Sequence, residues 1–190
     1  MASTDVEVAN LALLRIGQKT VTAISASSTA LEERIAYAIF DEVRDEYYAL
    51  EDWDFARKYA DLVGTGTDPD DTDYDYEYTL PNDFVEFRGF QEYIGKKQII
   101  PPYLWIDEDE VTLIYTWQQT DYSQLSSVYL QALVALLSMR FAEGLALKAE
   151  IITRAERNWF TAYQRARVNL YKNRDTQNVR EQEADVITDR

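Results

Sequence analysis

The chain has 190 residues, a length that suits one domain with a smaller appendage, and 46% of them are hydrophobic, enough to bury a core. Cysteine and histidine are both absent, which excludes disulfides, thiol nucleophiles, Cys/His zinc sites and any histidine-dependent acid–base mechanism. A formal net charge of −15 excludes the usual grip on nucleic acid, which needs clustered Lys and Arg to neutralise phosphates.

The N-terminal stretch MASTDVEVANLALLRIG carries Asp5 and Glu7 and no basic residue ahead of its apolar ones, so no signal peptide is expected. Thr4 with Glu7 forms a capping box for a first helix from about Asp5 to Ile16, along which Val8, Leu11 and Leu14 to Arg15 follow the turn, and Gly17 is placed to end it. After the polar loop TAISASS, Thr29 with Glu32 forms a second box for a helix to about Leu50. Its stripe is Leu31, Ile35, Ile39, Val43, Tyr47 and Leu50.

That helix runs into ALEDWDFARKYADL (49–62), where Trp53, Phe55 and Tyr59 are interleaved with Asp54, Arg57 and Lys58. Large aromatics at a spacing of two predict a strand whose apolar side packs inward, locking the helical part onto a β insertion, and leave Asp54, Arg57 and Lys58 exposed. The alternative is that Trp53 and Phe55 contact a partner. Residues 64–75, GTGTDPDDTDYD, form a Gly/Asp-rich loop.

From Tyr74 to Trp117 the chain reads as β. Tyr74, Tyr76, Tyr78 and Leu80 alternate with polar residues, as do Val111, Leu113, Tyr115 and Trp117. Shorter candidates lie near Phe87–Ile94 and Lys97–Ile100, with a stop at Pro101-Pro102 and a turn at DEDE (107–110). The expectation is a small meander of three to five strands.

Helices then return. SSVYLQALVALLSMRFAEGLAL (126–147) is apolar on nearly every face, so it is central to the core or covered by another subunit. Its apolar run at 129–139 is too short to span a bilayer and contains Gln131, so a soluble intracellular product is expected. A last helix from about Lys148 to Lys172 has the stripe Ile152, Ala155, Trp159, Ala162, Ala166 and Leu170, with seven Lys/Arg between Lys148 and Arg174 on its outer face. The stretch 175–190 holds too few apolar residues to fold alone and reads as a flexible tail.

The expected fold is therefore α+β, mainly α. It has a four-helix bundle-like core (1–62 and 123–174), a β-rich insertion (63–122) between the second and third long helices, and an extended C-terminal tail (175–190). Charge follows the same division, at −5 over residues 1–60, −12 over 61–122 and +2 over 123–190. The acidic middle and basic helical end are complementary between copies placed head to tail, and such contacts close into rings when the rotation permits.

No enzyme signature emerges. An EF-hand register from Asp71 matches at Asp73 and Asp75 but places Tyr76 where Gly is required and Asn82 where Glu is required. The four acids at 107–110 point in different directions with no nucleophile beside them, and a solvated turn is the better reading. GTGT (64–67) lacks the third glycine and the lysine of a phosphate loop, and Asp68, Asp70 and Asp71 would repel phosphate. No cofactor, metal site or catalytic residue is expected.

Three segments together carry a resemblance: NLALLRIG (10–17), FDEVRDEYYALEDWDFARKYADL (40–62) and YTLPNDFVEFRGF (78–90). Their order and spacing resemble the head-to-tail adaptor proteins of tailed bacteriophages, of the tail tubular protein A type found in short-tailed phages. In that family a long helix runs into a Trp-Asp/Asn-Phe-Ala segment followed by basic residues, here Trp53 to Lys58. A Leu-Pro-x-Asp-Phe segment, here Leu80 to Phe84, opens the β region. The resemblance covers most of residues 5–172.

It implies a structural, non-catalytic virion protein at the head–tail interface. A homo-oligomeric ring, usually of twelve subunits, would sit between the portal protein and the tail nozzle protein and continue the DNA channel, with DNA passing without specific binding and no membrane partner. Under that implication the C-terminal tail, with Asp175, Val179, Val186 and Ile187, is the portal-contact candidate, a frayed terminus without a role being the alternative. Arg57, Lys58, Arg154, Arg157, Arg165 and Arg167 are the subunit-interface candidates. Asp70, Asp71, Asp73, Asp107, Glu108 and Asp109 are the channel-facing candidates. The rival reading is an acidic α+β interaction domain, a nucleic-acid mimic or regulatory module acting as a monomer or dimer. A carboxylate-dependent hydrolase is a distant third.

Overall fold

The computed structural model describes residues 4–63, 73–92 and 95–188, with side chains as far as Arg174. Among them are four α-helices, α1 (Asp5–Arg15), α2 (Leu31–Ala49), α3 (Ser127–Gly144) and α4 (Ala149–Thr188). The six strands are β1 (Arg57–Val63), β2 (Tyr76–Thr79), β3 (Phe84–Phe90), β4 (Lys97–Ile100), β5 (Tyr103–Ile106) and β6 (Glu110–Trp117). Every strand lies between the second and third helices, and the fold is α+β, mainly α. The chain forms two compact units, Met1–Tyr47 with Thr120–Arg190, and Tyr48–Gln119. Residues 48–62, grouped with the helices in the sequence reading, thus belong with the strands, because β1 pairs along its whole length with β6.

In the helical unit α1 begins as its sequence requires. The Glu7 amide donates to Thr4 Oγ1 at 3.3 Å and the Thr4 amide to Glu7 Oε2 at 3.1 Å. Gly17, with φ of 74°, ends the helix in a Schellman turn: Gln18 N donates to Leu13 O at 3.0 Å and Gly17 N to Leu14 O at 3.1 Å. The buried face differs from the expected stripe. Val8, Ala9, Ala12 and Leu13 are buried, whereas Leu11 and Leu14 are 42% and 59% exposed. Small residues win the interior because α3 approaches closely here, with Ser138 Oγ 3.1 Å from Ala12 O.

The expected Thr29–Glu32 box does not form. α2 starts at Leu31, and the carboxylate that organises this end is Glu33, which accepts from Thr22 N (3.0 Å), Thr22 Oγ1 (3.1 Å) and Ala23 N (3.3 Å). α2 buries Ala36, Phe40, Val43, Arg44, Tyr47 and Tyr48, while Leu31 and Leu50 are exposed and Ile35 and Ile39 are half-buried. A charge therefore enters the stripe. Arg44, 3% exposed, is held by Asp41 at 2.9 Å and Asp45 at 3.0 Å. Burial works against its charge, and Asp45 and then the Tyr122 hydroxyl outweigh it, so its pKa is raised.

α3 is buried on nearly every face, as its composition requires, with Leu133, Leu136, Leu137 and Phe141 all inside. Each such side chain contributes about 1.5–3 kcal/mol by leaving water. Its turn into α4 is again a Schellman motif, with Leu147 N donating to Ala142 O at 3.0 Å and Ala146 N to Glu143 O at 2.9 Å. The left-handed position here is Ala146, with φ of 50°. On α4 the stripe falls where the spacing predicts: Ala155, Ala166 and Leu170 are buried and Ile152, Trp159 and Ala162 half-buried. The helix does not stop near Lys172 but continues to Thr188, through a stretch with neither Gly nor Pro to break it.

The β unit holds two three-stranded antiparallel sheets, in the orders β1-β6-β3 and β2-β5-β4, where a single meander was expected. The prolines are not a stop. Pro101-Pro102 joins β4 to β5 as the hairpin turn, with Ile100 opposite Tyr103, so β5 is an additional strand. Tyr78, Leu104, Ile106, Leu113 and Tyr115 come from both sheets and form one core cluster, so the sheets pack face to face. The segment at Trp53 is not a strand either. Asp54–Ala56 is a 3₁₀ turn, Trp53 is fully buried and stacked on Phe55, and Tyr59 is 55% exposed.

Candidate functional site

The residues that carry the resemblance are joints of the chain. Asn10 pairs with the backbone of Val21 through both ends of its amide, at 2.9 Å and 2.6 Å, which fastens the loop after α1. Arg57 pairs with Asp52, its Nε donating at 3.1 Å. Lys58 reaches Asp83 at 2.6 Å and lies over the Trp117 ring, 4.8 Å from its centre. Asp83 also accepts from the Tyr115 hydroxyl at 2.9 Å. So the Trp-Asp-Phe-Ala-Arg-Lys and Leu-Pro-Asn-Asp-Phe segments meet at a carboxylate. Burial acts to raise the Asp83 pKa, but the bonds from Lys58 and Tyr115 overcome it and hold it below the usual range. Burial, then the Asp83 acceptor, pushes Tyr115 up. Arg57 and Lys58, expected to be available to neighbours, are thus engaged inside the chain, because each has a carboxylate within reach in the fold.

Sequence reasoning did not find Arg88. Its Nε donates to Thr116 Oγ1 at 2.7 Å, and its Nη2 lies 3.1, 2.9 and 2.8 Å from the carbonyl oxygens of Tyr48, Ala49 and Glu51. It thereby donates to the Tyr48 and Ala49 carbonyls at the end of α2, where the helix ladder supplies no donor, and to Glu51 just beyond it. Nothing in FVEFRGF marks this arginine; its carbonyl partners lie some forty residues earlier and Thr116 28 residues later.

The β unit is the acidic face. Residues 48–119 hold 17 Asp/Glu against 5 Lys/Arg, a net of −12. All five cations have internal contacts: Arg57, Lys58 and Arg88 as above, Lys96 with Asp107 at 3.4 Å and over Tyr74, and Lys97 over Phe87. Asp61, Glu92, Glu108 and Glu110 line one depression of about 610 Å³ with Leu62 and Val111. The field is felt within the fold. The Tyr78 hydroxyl donates to Glu108 O, and burial first, then Asp109, pushes its pKa up to about 12.

Of the channel-facing candidates, Glu108, Asp109 and Asp73 are exposed. Asp107 is half-buried, tied to Lys96 and to the Asp75 amide at 3.3 Å, and is a hairpin fastening more than a free charge. Asp70 and Asp71, with the rest of 64–72 including the GTGT segment, lie outside the described residues.

The helical unit carries a groove. Between α1 and α3 it is mainly apolar, about 620 Å³, walled by Leu11, Leu14, Leu130 and Val134, with Glu7 and Asn10 also lining it. Between α3 and α4 it continues for about 430 Å³ past Arg15, Gln131, Asn158 and Arg165. Arg15 stands at the join, its Nη1 donating to Gln131 O at 3.2 Å, with its pKa lowered by burial. Arg154 lies further along the same seam, beside Arg15 and Asn158.

The four interface-candidate arginines of α4 are therefore not one patch. Arg154 and Arg165, eleven residues and three turns apart, share the groove side. Arg157 is exposed and is not among the residues that line it. Arg167 is half-buried between the rings of Tyr163 and Tyr171, at 5.6 and 5.8 Å. For Asp175, Val179, Val186 and Ile187 the backbone is helical and the side chains lie outside the described residues.

Among the described residues no group of three or more Asp and Glu is arranged to hold a metal ion, and no helix is long and apolar enough to cross a membrane. No protein-family model matches this sequence, and no curated protein matches it significantly.

Proposed function

We propose that this chain is a structural head-to-tail adaptor of a tailed bacteriophage. Identical subunits form a ring, by the family's habit of twelve, between the portal protein and the tail nozzle protein, and the DNA passes through it. The order and spacing of the Asn10–Gly17, Trp53–Lys58 and Leu80–Phe84 segments support this reading.

The observation that carries it is the acidic β unit, whose five cations are all engaged internally. A wall of carboxylates repels phosphate, so duplex DNA moves past it without being held. Glu108, Asp109 and Asp73 are the residues proposed for that wall, and the end of α4 with Asp175, Val179, Val186 and Ile187 for the portal contact. The reading assigns no catalysis, cofactor or metal.

The same acidic face favours a second reading, a DNA-mimicking interaction domain that acts as a monomer or dimer and competes with nucleic acid for a basic partner. Co-purification with the portal protein of the same genome, followed by mass measurement, separates the two. A discrete large assembly with integer-related copies supports the adaptor. Absence of portal binding at low and moderate salt removes it, and competition with DNA for a basic partner would then establish the mimic.

A further inference from the structure

We infer that the groove of the helical unit is one half of a head-to-tail contact, and that its occupant is the β1 edge of a second copy of this chain, entering with Tyr59 and the carboxylates beside it. This deepens the adaptor reading by naming the two faces, and it rests on that reading for closure of the contact into a ring.

The groove sets what can fill it. One part is mainly apolar, with Leu11 and Leu14 42% and 59% exposed on successive turns of α1 against Leu130 and Val134, and Glu7, which caps α1, also on its lining. The next part is lined by Arg15 and Arg165, with Arg154 along the same seam. An occupant must therefore present a large apolar group next to negative charge.

The β unit offers such a pairing. Tyr59 is 55% exposed on β1, and Asp61, two residues on, stands on the same side of the strand and shares a depression with Glu108 and Glu110. Arg57, on that side as well, is already neutralised by Asp52. The other exposed large side chains on the strands, Ile100 and Tyr103, sit in the β4–β5 hairpin that begins with Lys97, where the charge is wrong for an arginine-lined seam.

Among the described residues β1 is also the last strand of its sheet, with β6 on one side only. Natural sheets cover such edges with other structure, because unpaired amide and carbonyl groups invite association. Groove and edge are different surfaces, so each copy keeps one of each free after pairing. The contact is heterologous and propagates into a ring.

Charge reversal tests it on the full chain, read as mass against concentration at low salt. The wild type should associate, and less so as salt is raised. Arg154→Glu with Arg165→Glu, or Asp61→Lys with Glu110→Lys, should each weaken association about tenfold or more through like-charge opposition. A chain carrying all four substitutions should regain it, which a misfolded variant could not do.

One-sided variants that associate like the wild type, or a fourfold variant that stays monomeric, overturn the inference. So does a wild type that is monomeric throughout. Portal co-purification of the same chains is scored separately. Portal binding without any effect of the reversals leaves the adaptor standing and removes these faces, whereas association that responds to them without portal binding does the opposite.

Discussion

In the helical unit the interior is centred on Leu133, Leu136 and Leu137 of α3, with Phe40, Tyr47, Tyr122 and Phe141 also buried, and its buried charge, Arg44, has carboxylates at hand. In the β unit Tyr78 and Tyr115 share the interior with Leu104, Ile106 and Leu113, and polar side chains close it: the Tyr115 hydroxyl on Asp83, the Tyr78 hydroxyl on Glu108 and the Arg88 guanidinium on three carbonyls. The difference follows from geometry. A helix satisfies its own backbone along its length, so α3 needs only shape from its side chains. Two three-stranded sheets leave short strands, edges and a helix end, and side-chain hydrogen bonds must finish what the ladders do not.

The comparison is broken first by the largest side chains. Trp53→Ala should cost roughly 3–5 kcal/mol and Leu137→Ala about 2–5 kcal/mol in urea unfolding, since both are fully buried. Trp53→Ala with unchanged stability and lost assembly would reassign that residue from core to partner contact.

Polar joints should matter next, and chiefly in the β unit. Arg88→Met removes the side-chain donor to the Tyr48 and Ala49 carbonyls and should cost about 1–3 kcal/mol. Asp83→Asn removes the ion pair to Lys58 and weakens the bond from Tyr115, again for roughly 1–3 kcal/mol. Because the folded pKa of Asp83 is depressed, its contribution is complete above the unfolded value of about 4. It is lost as pH falls through the folded value. The gap between Asp83→Asn and wild type in urea midpoint should therefore be wide at neutral pH and close in acid. A gap that is unchanged by acid would mean that the carboxylate charge is not what holds the joint.

The smallest expected effect is a gain. Gly17 and Ala146 occupy the same left-handed position in two Schellman turns, and only glycine adopts it without steric cost. Ala146→Gly should stabilise by about 1 kcal/mol, read as a raised melting temperature. A loss instead would show that the Ala146 methyl packs usefully enough to outweigh its strain.

Local signals determined a good deal without the structure. Thr4 with Glu7, then Gly17, bounded α1, since capping and left-handed turns involve residues three or four apart. The stripe from Ile152 to Leu170 identified the buried side of α4, and alternation in 111–117 identified β6, because each element repeats its own period. The acidic field of residues 61–122 was legible as plain charge.

Only the tertiary structure decided the rest. Which side of α1 turns inward depended on how closely α3 approaches, and that favoured Ala9 and Ala12 over Leu11 and Leu14. Lys58 and Asp83 are 25 residues apart, and Arg88 and Tyr48 are 40, so no local pattern could pair them. Arg15 and Arg165 come to line one groove because α1, α3 and α4 pack together. Charge, period and capping act over a few residues and can be read along a chain. Which cations are spent inside the fold, and which are left to meet another molecule, is set by distances that exist only after the chain has closed on itself.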